Sequence, residues 1–264
     1  MLAQVTISEA NLTNHIESLK YAGIIQRGLL PKKRHFNRHV TDHFVFFKPL
    51  NFVSGDFYWI GGKDGLIFAA VGDCTGHGVP GAMLSILARN ILEYSIMTKS
   101  ILSTDKILRE MDRKFIESFF HSKEGQYNND WVDIALICID KKRSVIEFSS
   151  AKRKILHISE NSATVHSGSS YPIGGWQVEP NRKFEKAIIP YTPGDAIYLG
   201  SDGYQDQIGG EKLKKYSSKK LHFTLQENYS LPMNKQKMKL VKDLTKWQGK
   251  EEQIDDICVM GLRL

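Results

Sequence analysis

Apolar positions change their period along this chain, and the changes mark out its elements. Residues 4–30 read as a helix, with Val5, Leu12, Ile16, Leu19 and Leu30 at near-heptad intervals and Thr6 and Glu9 at capping-box spacing. Glu9, Gly23 and Gln26 interrupt that seam, and Pro31 ends the segment. Two roles fit such a helix: packing on its own domain, or pairing chains and carrying a signal. The pattern then shortens to strands at 43–48, 55–60 and 66–71, rich in aromatic and β-branched residues. Helices are predicted at 79–97 and 104–120, the second with Ile107, Leu108, Met111 and Phe115 on one face. Residues 122–130 are polar and read as a loop. Strands resume at 133–139, 145–149, 155–158, 163–166, 184–189 and 196–199. Helices at 211–226 and 234–247 and a closing strand at 257–262 complete the pass.

Strands in succession with helices in pairs favour an α+β fold of antiparallel sheets with helices outside, rather than an alternating parallel sheet. Without a repeat or low-complexity linker, the expected organisation is an N-terminal helix, residues 1–30, followed by one domain, 31–264.

Composition narrows the function classes. The 264 residues are 41% hydrophobic and 25% charged, the balance of a folded chain. No apolar run approaches the ~18 residues of a membrane span, and the N-terminus lacks the basic-then-apolar signal pattern. Three dispersed cysteines form no CxxC pair, which fits a reducing cytoplasm. The net charge of +7 comes mostly from residues 211–250, where eleven lysines face three acids. A second basic cluster spans Arg27 to Arg38. Either region is a solvated face or a docking surface for an acidic partner. Aromatics do not alternate with the lysines, so a nucleic-acid partner is not expected.

Candidate chemistry sits at strand ends. Ser54-Gly55-Asp56-Phe57, Val71-Gly72-Asp73-Cys74, Gly200-Ser201-Asp202-Gly203 and Ile254-Asp255-Asp256-Ile257 each set an aspartate beside an apolar strand. A single such residue is an ordinary turn former. Four near the core need a compensating charge, and hard divalent cations take oxygen ligands of this kind. No paired Cys/His set argues for zinc. Gly76, Gly78 and Gly81 spell GxGxxG, but Asp73 would face a pyrophosphate there, and a second helix follows where a βαβ unit needs a strand. Pro80 stands where a cysteine-phosphatase loop built on Cys74 would need arginine.

These motifs, with Asp73-Cys74-Thr75-Gly76-His77-Gly78-Val79-Pro80-Gly81-Ala82 the longest, resemble the SpoIIE-like branch of the bacterial metal-dependent serine/threonine phosphatases (the PPM family). The resemblance runs in family order from about Gln26 to Leu264, with weaker agreement at Asp133-Ile134-Ala135-Leu136 and Pro172-Ile173-Gly174-Gly175. It implies two stacked antiparallel sheets flanked by helix pairs, an α-β-β-α sandwich, and two Mn²⁺ or Mg²⁺ ions. By motif, Asp73 would bridge both ions, the Cys74 carbonyl would ligate one, Asp202 and Asp255 would hold the first, and Asp56 would serve the second. Asp256 falls in the same acidic set, as a ligand or as a support for Asp255. His77 is the general-acid candidate, with a structural role as its alternative. The resemblance further implies a phosphorylated regulatory protein as substrate, of the STAS anti-anti-sigma type, and an upstream sensor domain or protein acting through the N-terminal helix, by which two chains could pair. A non-catalytic binding module of the same fold is the competing reading. Two departures stand out: Ala151-Lys152-Arg153 where relatives often carry Ala-Gly-His or Ala-Asn, and Cys258 where threonine is common.

Overall fold

The computed structural model describes residues 9–119, 129–160, 162–175 and 182–264, with side chains from Leu12 onward. Val5, Thr6, the side chain of Glu9 and most of the 122–130 loop lie outside what is described, so the capping-box pairing does too. Helix α1 (Glu9–Leu29) and a single turn, α2 (Lys33–Phe36), lead into two sheets. The first sheet takes β1 (Asp42–Lys48), β13 (Ile257–Arg263), β10 (Ala196–Gly200), β6 (Lys154–Ile158) and β7 (Ala163–Ser167), in that spatial order. The second takes β2 (Asp56–Lys63), β3 (Leu66–Cys74), β4 (Trp131–Asp140), β5 (Val145–Ala151) and β9 (Ala187–Pro190), with the short β8 (Ile173–Gly174) paired to β4. Every neighbouring pair is antiparallel.

Three apolar layers follow from the strand alternation. Val71, Ile137, Phe148, Leu199 and Met260 fill the space between the sheets. Phe68, Leu136 and Trp59 face outward from the second sheet and are covered by α3 (Gly78–Glu93) and α4 (Thr104–Phe119). Tyr198 and Val259 face outward from the first sheet under α6 (Ser218–Glu227) and α7 (Met233–Gln248). This is the α-β-β-α sandwich. On α4 the four residues Ile107, Leu108, Met111 and Phe115 are buried, as their helical spacing predicts. Helix α3 passes into a π turn, Tyr94–Thr98, so the expected helix to residue 97 changes its winding near its end.

One expected helix is shorter than its pattern. Residues 211–217 form no helix. They belong to a small hairpin, β11 (Ile208–Gly209) with β12 (Lys214–Lys215), and the turn that follows. Leu213 and Ser217 both have positive φ, which breaks a helix, and the Ser217 hydroxyl then accepts from the Lys220 amide to start α6. The strand expected from 184 begins only at Ala187.

On α1 two of the three interruptions of the apolar seam, Gly23 and Gln26, touch the domain. A Cβ at Gly23 would sit 2.1 Å from the Phe52 carbonyl oxygen. Buried Gln26 donates from Nε2 to the Ser54 carbonyl (2.6 Å) and to Ser85 Oγ on α3 (3.0 Å), while its Oε1 accepts from the Ser54 amide (2.9 Å). Leu30 is buried as well, whereas Leu12, Tyr21, Ile24, Ile25 and Leu29 remain exposed.

Candidate metal centre

The antiparallel register sets three aspartates abreast. Asp56 on β2 lies opposite Asp73 on β3, and Asp73 lies opposite Asp133 on β4. Residues directly opposite share a face of the sheet, and like charges there repel. In the sequence Asp133 stands out only as part of a weak motif. Strand register identifies it, because two helices and a loop separate β3 from β4.

The first sheet delivers the other acids from its strand ends. Asp202 follows β10 and starts the short helix α5 (Gly203–Asp206); Asp255 and Asp256 precede β13. Ser201 joins the two sheets: its amide donates to the Cys258 carbonyl, and its hydroxyl accepts from the Cys258 amide (2.9 Å) and donates to Asp56 Oδ2 (2.5 Å). Asp256 spends both carboxylate oxygens on backbone amides, Leu50 through Oδ1 and Gly55 through Oδ2, each at 2.7 Å. The Asp256 amide in turn donates to Asp255 Oδ1 (2.8 Å). A Cβ at Gly55 would come within 2.8 Å of the Gly76 carbonyl oxygen and 3.1 Å of that of Cys74. At Gly81 it would lie 2.4 Å from Gly76 O. Gly55 and Gly81 thus let the Cys74–Gly78 turn press against β2 and α3, and positive φ at Gly76 and Gly78 accounts for the other glycines of the GxGxxG string without a nucleotide.

Lys152 Nζ lies 4.0 Å from Asp133 Oδ1, and Arg153 is the cation beside the other acids. Its Nη1 lies 3.0 Å from Asp202 Oδ2 and 3.6 Å from Asp73 Oδ2, and its Nε donates to the Gly200 carbonyl. Burial works against this charge, and Asp202 and Asp73 more than restore it. The carboxyl of Asp56 is pushed well above its ordinary range by burial, then by the Asp73 charge, against the pull of the Ser201 hydrogen bond. Asp73 is raised by burial and then by Asp202, and Asp255 chiefly by burial. Burial lifts Asp133 to about 6 despite Lys152 and Arg153. One Asp133 oxygen is buried without a hydrogen-bond partner. The Cys74 thiol is buried and raised far from ionisation, first by desolvation and then by Asp73 and Asp56, which removes it as a nucleophile.

Asp56, Asp73, Asp202 and Asp255 therefore occupy one electrostatic neighbourhood, with Asp133 added. Among the described residues no three acidic, cysteine or histidine side chains are already closed into one ligand set. Ser201 holds one oxygen of Asp56, and Arg153 stands beside Asp73 and Asp202. The donor chemistry fits hard divalent ions: carboxylates that repel one another and resist ionisation gain most from a bound cation. His77 is exposed at the N-cap of α3 and its side chain makes no capping bond.

The sandwich and its acids at the strand ends define a PP2C-type protein serine/threonine phosphatase domain. The family model described as Stage II sporulation protein E (SpoIIE) matches residues 63–264, and the chain belongs to that family. Among solved structures, the SiaA-PP2C domain of Pseudomonas aeruginosa is similar with a TM-score of 0.87 and 29% identity, over 97% of this chain and 100% of that one. The phosphatase domain and a regulatory fragment of SpoIIE from Bacillus subtilis share the fold (TM-score 0.66, 16% identity, 84% of this chain, 63% of that one). So does RsbX in complex with magnesium (TM-score 0.59, 12% identity, 84% and 94%). No curated protein matches by sequence. Among the described residues no helix is long and apolar enough to cross a membrane.

Proposed function

We propose that this domain removes phosphate from serine or threonine of a phosphorylated regulatory protein, of the STAS anti-anti-sigma type, in the cytoplasm, using two Mn²⁺ or Mg²⁺ ions. The observation that carries the reading is the cross-strand pair Asp56–Asp73 with Asp202 and Asp255 beside it, contributed by both sheets. Solved relatives titled as RsbU and RsbW domains of a Mycobacterium tuberculosis protein and as SpoIIE support the partner class by analogy of fold alone.

In this reading Asp73, Asp202, Asp255 and the Cys74 carbonyl would hold one ion, and Asp56 with Asp73 would hold the other. Bound ions of this kind supply an acidified water and offset charge on phosphoryl oxygens. The chain's own residues set the geometry. Ser201 fixes Asp56, Asp256 holds the amides of Leu50 and Gly55 beneath it, and the amide of Asp256 orients Asp255. Asp256 serves as the support rather than as a ligand. The N-terminus of α3 favours an anion at the mouth of the site, where His77 is the general-acid candidate. We assign to α1, besides its packing on the domain, a second role in which exposed Leu12, Ile24 and Ile25 pair two chains and receive an upstream signal.

Asp73→Ala and Asp202→Ala should each abolish metal-stimulated release of phosphate from a phosphoserine protein. Unchanged turnover would refute the assignment. Titration calorimetry with Mn²⁺ separates the enzyme from a non-catalytic module, which would show no binding heat.

A further inference from the structure

A cleft of about 640 Å³ opens between β6, β10 and α6, with Arg153, Gly200 and Ser201 at its inner end. Arg153 and Ser201 are the residues that touch Asp202, Asp73 and Asp56, so the floor of the cleft continues into the acidic centre. Its walls carry Lys152, Lys154 and Lys219, and no carboxylate lines it among the described residues. Lys154 and Lys219 are exposed, and neither has an ion-pair partner among the described residues. Lys219 also sits in the first turn of α6, whose opening turn holds no acid. That reverses the usual preference, since a helix N-terminus is already positive and is stabilised by negative side chains. Lys154 and Lys219 therefore add to a positive potential along the walls, where no carboxylate of the described residues lines the cleft to offset it. Exposed Val165 and Phe223 give the same walls an apolar component.

We propose that this cleft docks an extended, acidic stretch of the phosphoprotein substrate, next to the phosphorylated side chain. The inference rests on the phosphatase reading for what happens at the inner end; the docking itself does not. Asp and Glu side chains of the bound segment pair with Lys154 and Lys219, its apolar residues lie on Val165 and Phe223, and the phosphoryl group reaches Arg153. Substrate selection then resides in charge complementarity beside the centre, and weakens as salt screens it.

The test uses the full chain, two peptides that differ only in Asp/Glu against Asn/Gln around a serine, and the Lys154→Glu/Lys219→Glu variant checked for native circular dichroism. With unphosphorylated, fluorescently labelled peptides, anisotropy should show the acidic peptide binding about tenfold more tightly at low salt, and the double variant should erase that preference. With the phosphorylated peptides, the variant should raise KM for the acidic one about tenfold, leaving kcat and turnover of p-nitrophenyl phosphate unchanged. Equal binding of both peptides by the native chain, or a preference that survives charge reversal, overturns the proposal. Loss of p-nitrophenyl phosphate hydrolysis in the native chain would strike the phosphatase reading instead, and the anisotropy result would still decide the cleft.

Discussion

The Ser201 hydroxyl donates to Asp56 Oδ2 at 2.5 Å, and this bond ties the end of β10 in one sheet to the start of β2 in the other. Both residues are buried, so the carboxylate has no solvent to replace a lost partner. Ser201→Ala should destabilise the protein by about 2 kcal/mol, the order seen when a buried charged acceptor loses its donor. It should also weaken Mn²⁺ binding several-fold, because Asp56 loses its fixed rotamer. Urea denaturation and calorimetry check the two effects separately.

The raised carboxyls set the pH dependence of metal binding. Asp56, Asp73 and Asp255 must all be ionised to act as ligands, and in the metal-free fold all three hold their protons to higher pH than usual. Loading must release protons, so Mn²⁺ affinity should rise steadily with pH. Calorimetry in buffers of different ionisation enthalpy would count the protons; an affinity independent of pH would contradict the arrangement.

Asp133 gives a stability signature of its own. Its folded pKa of about 6 exceeds the ordinary carboxylate value, so the folded state binds the extra proton. Stability from this group is therefore full below about pH 4 and falls as pH rises through about 6. Replacing the acid by Asp133→Asn should remove that slope and stabilise the metal-free protein by about 3 kcal/mol at pH 8, because each tenfold change in proton affinity is worth ~1.4 kcal/mol. Chemical denaturation in the presence of a chelator, at pH 5 and pH 8, measures the difference.

Gln26 is the polar anchor of α1, satisfied at both ends of its amide by Ser54 and Ser85. Gln26→Ala should cost about 2 kcal/mol by leaving the buried Ser54 amide unpaired, while the Ser54 carbonyl keeps the Ser85 hydroxyl. Because Ser54 Oγ accepts from the Asp56 amide, the loss should reach the metal centre too. Ile24→Glu with Ile25→Glu tests the other face of the helix. Light scattering should show dimers becoming monomers, with denaturation midpoints little changed.

Gly55→Ala should be as damaging as the loss of a ligand. Its Cβ would collide with the carbonyls of Gly76 and Cys74, and the backbone must shift at the Cys74 carbonyl proposed as a ligand. A drop of at least tenfold in Mn²⁺ affinity, read by calorimetry, is the expected result.

The sequence discloses what is carried by local pattern. Alternation marks the strands, helical spacing marks the buried face of α4, and repeated Gly-Asp pairs at strand ends mark the acids. It conceals what depends on register and contact. Asp133 enters the centre only because β4 pairs with β3 at that particular offset. The hairpin at 208–215 is hidden because its lysine-rich sequence carries a helical composition, while Trp247 on α7 lies against Gly209 and Gly210 and fixes the turn. Gly23 and Gln26 look like defects in a zipper, and their tertiary contacts make them the fastening of α1 to the domain. Arg153 stands out in the sequence only as a departure from the family pattern, and its nearness to Asp202 follows from the pairing of β6 with β10.

Strand β13 lies between β1 and β10 in the first sheet, and Asp255 and Asp256 immediately precede it. During synthesis β1 must wait, with its apolar edge open, for a strand that emerges after every other element described. The acidic centre cannot assemble until β13 has emerged, so a product truncated before Asp255 would be catalytically silent as well as prone to aggregate.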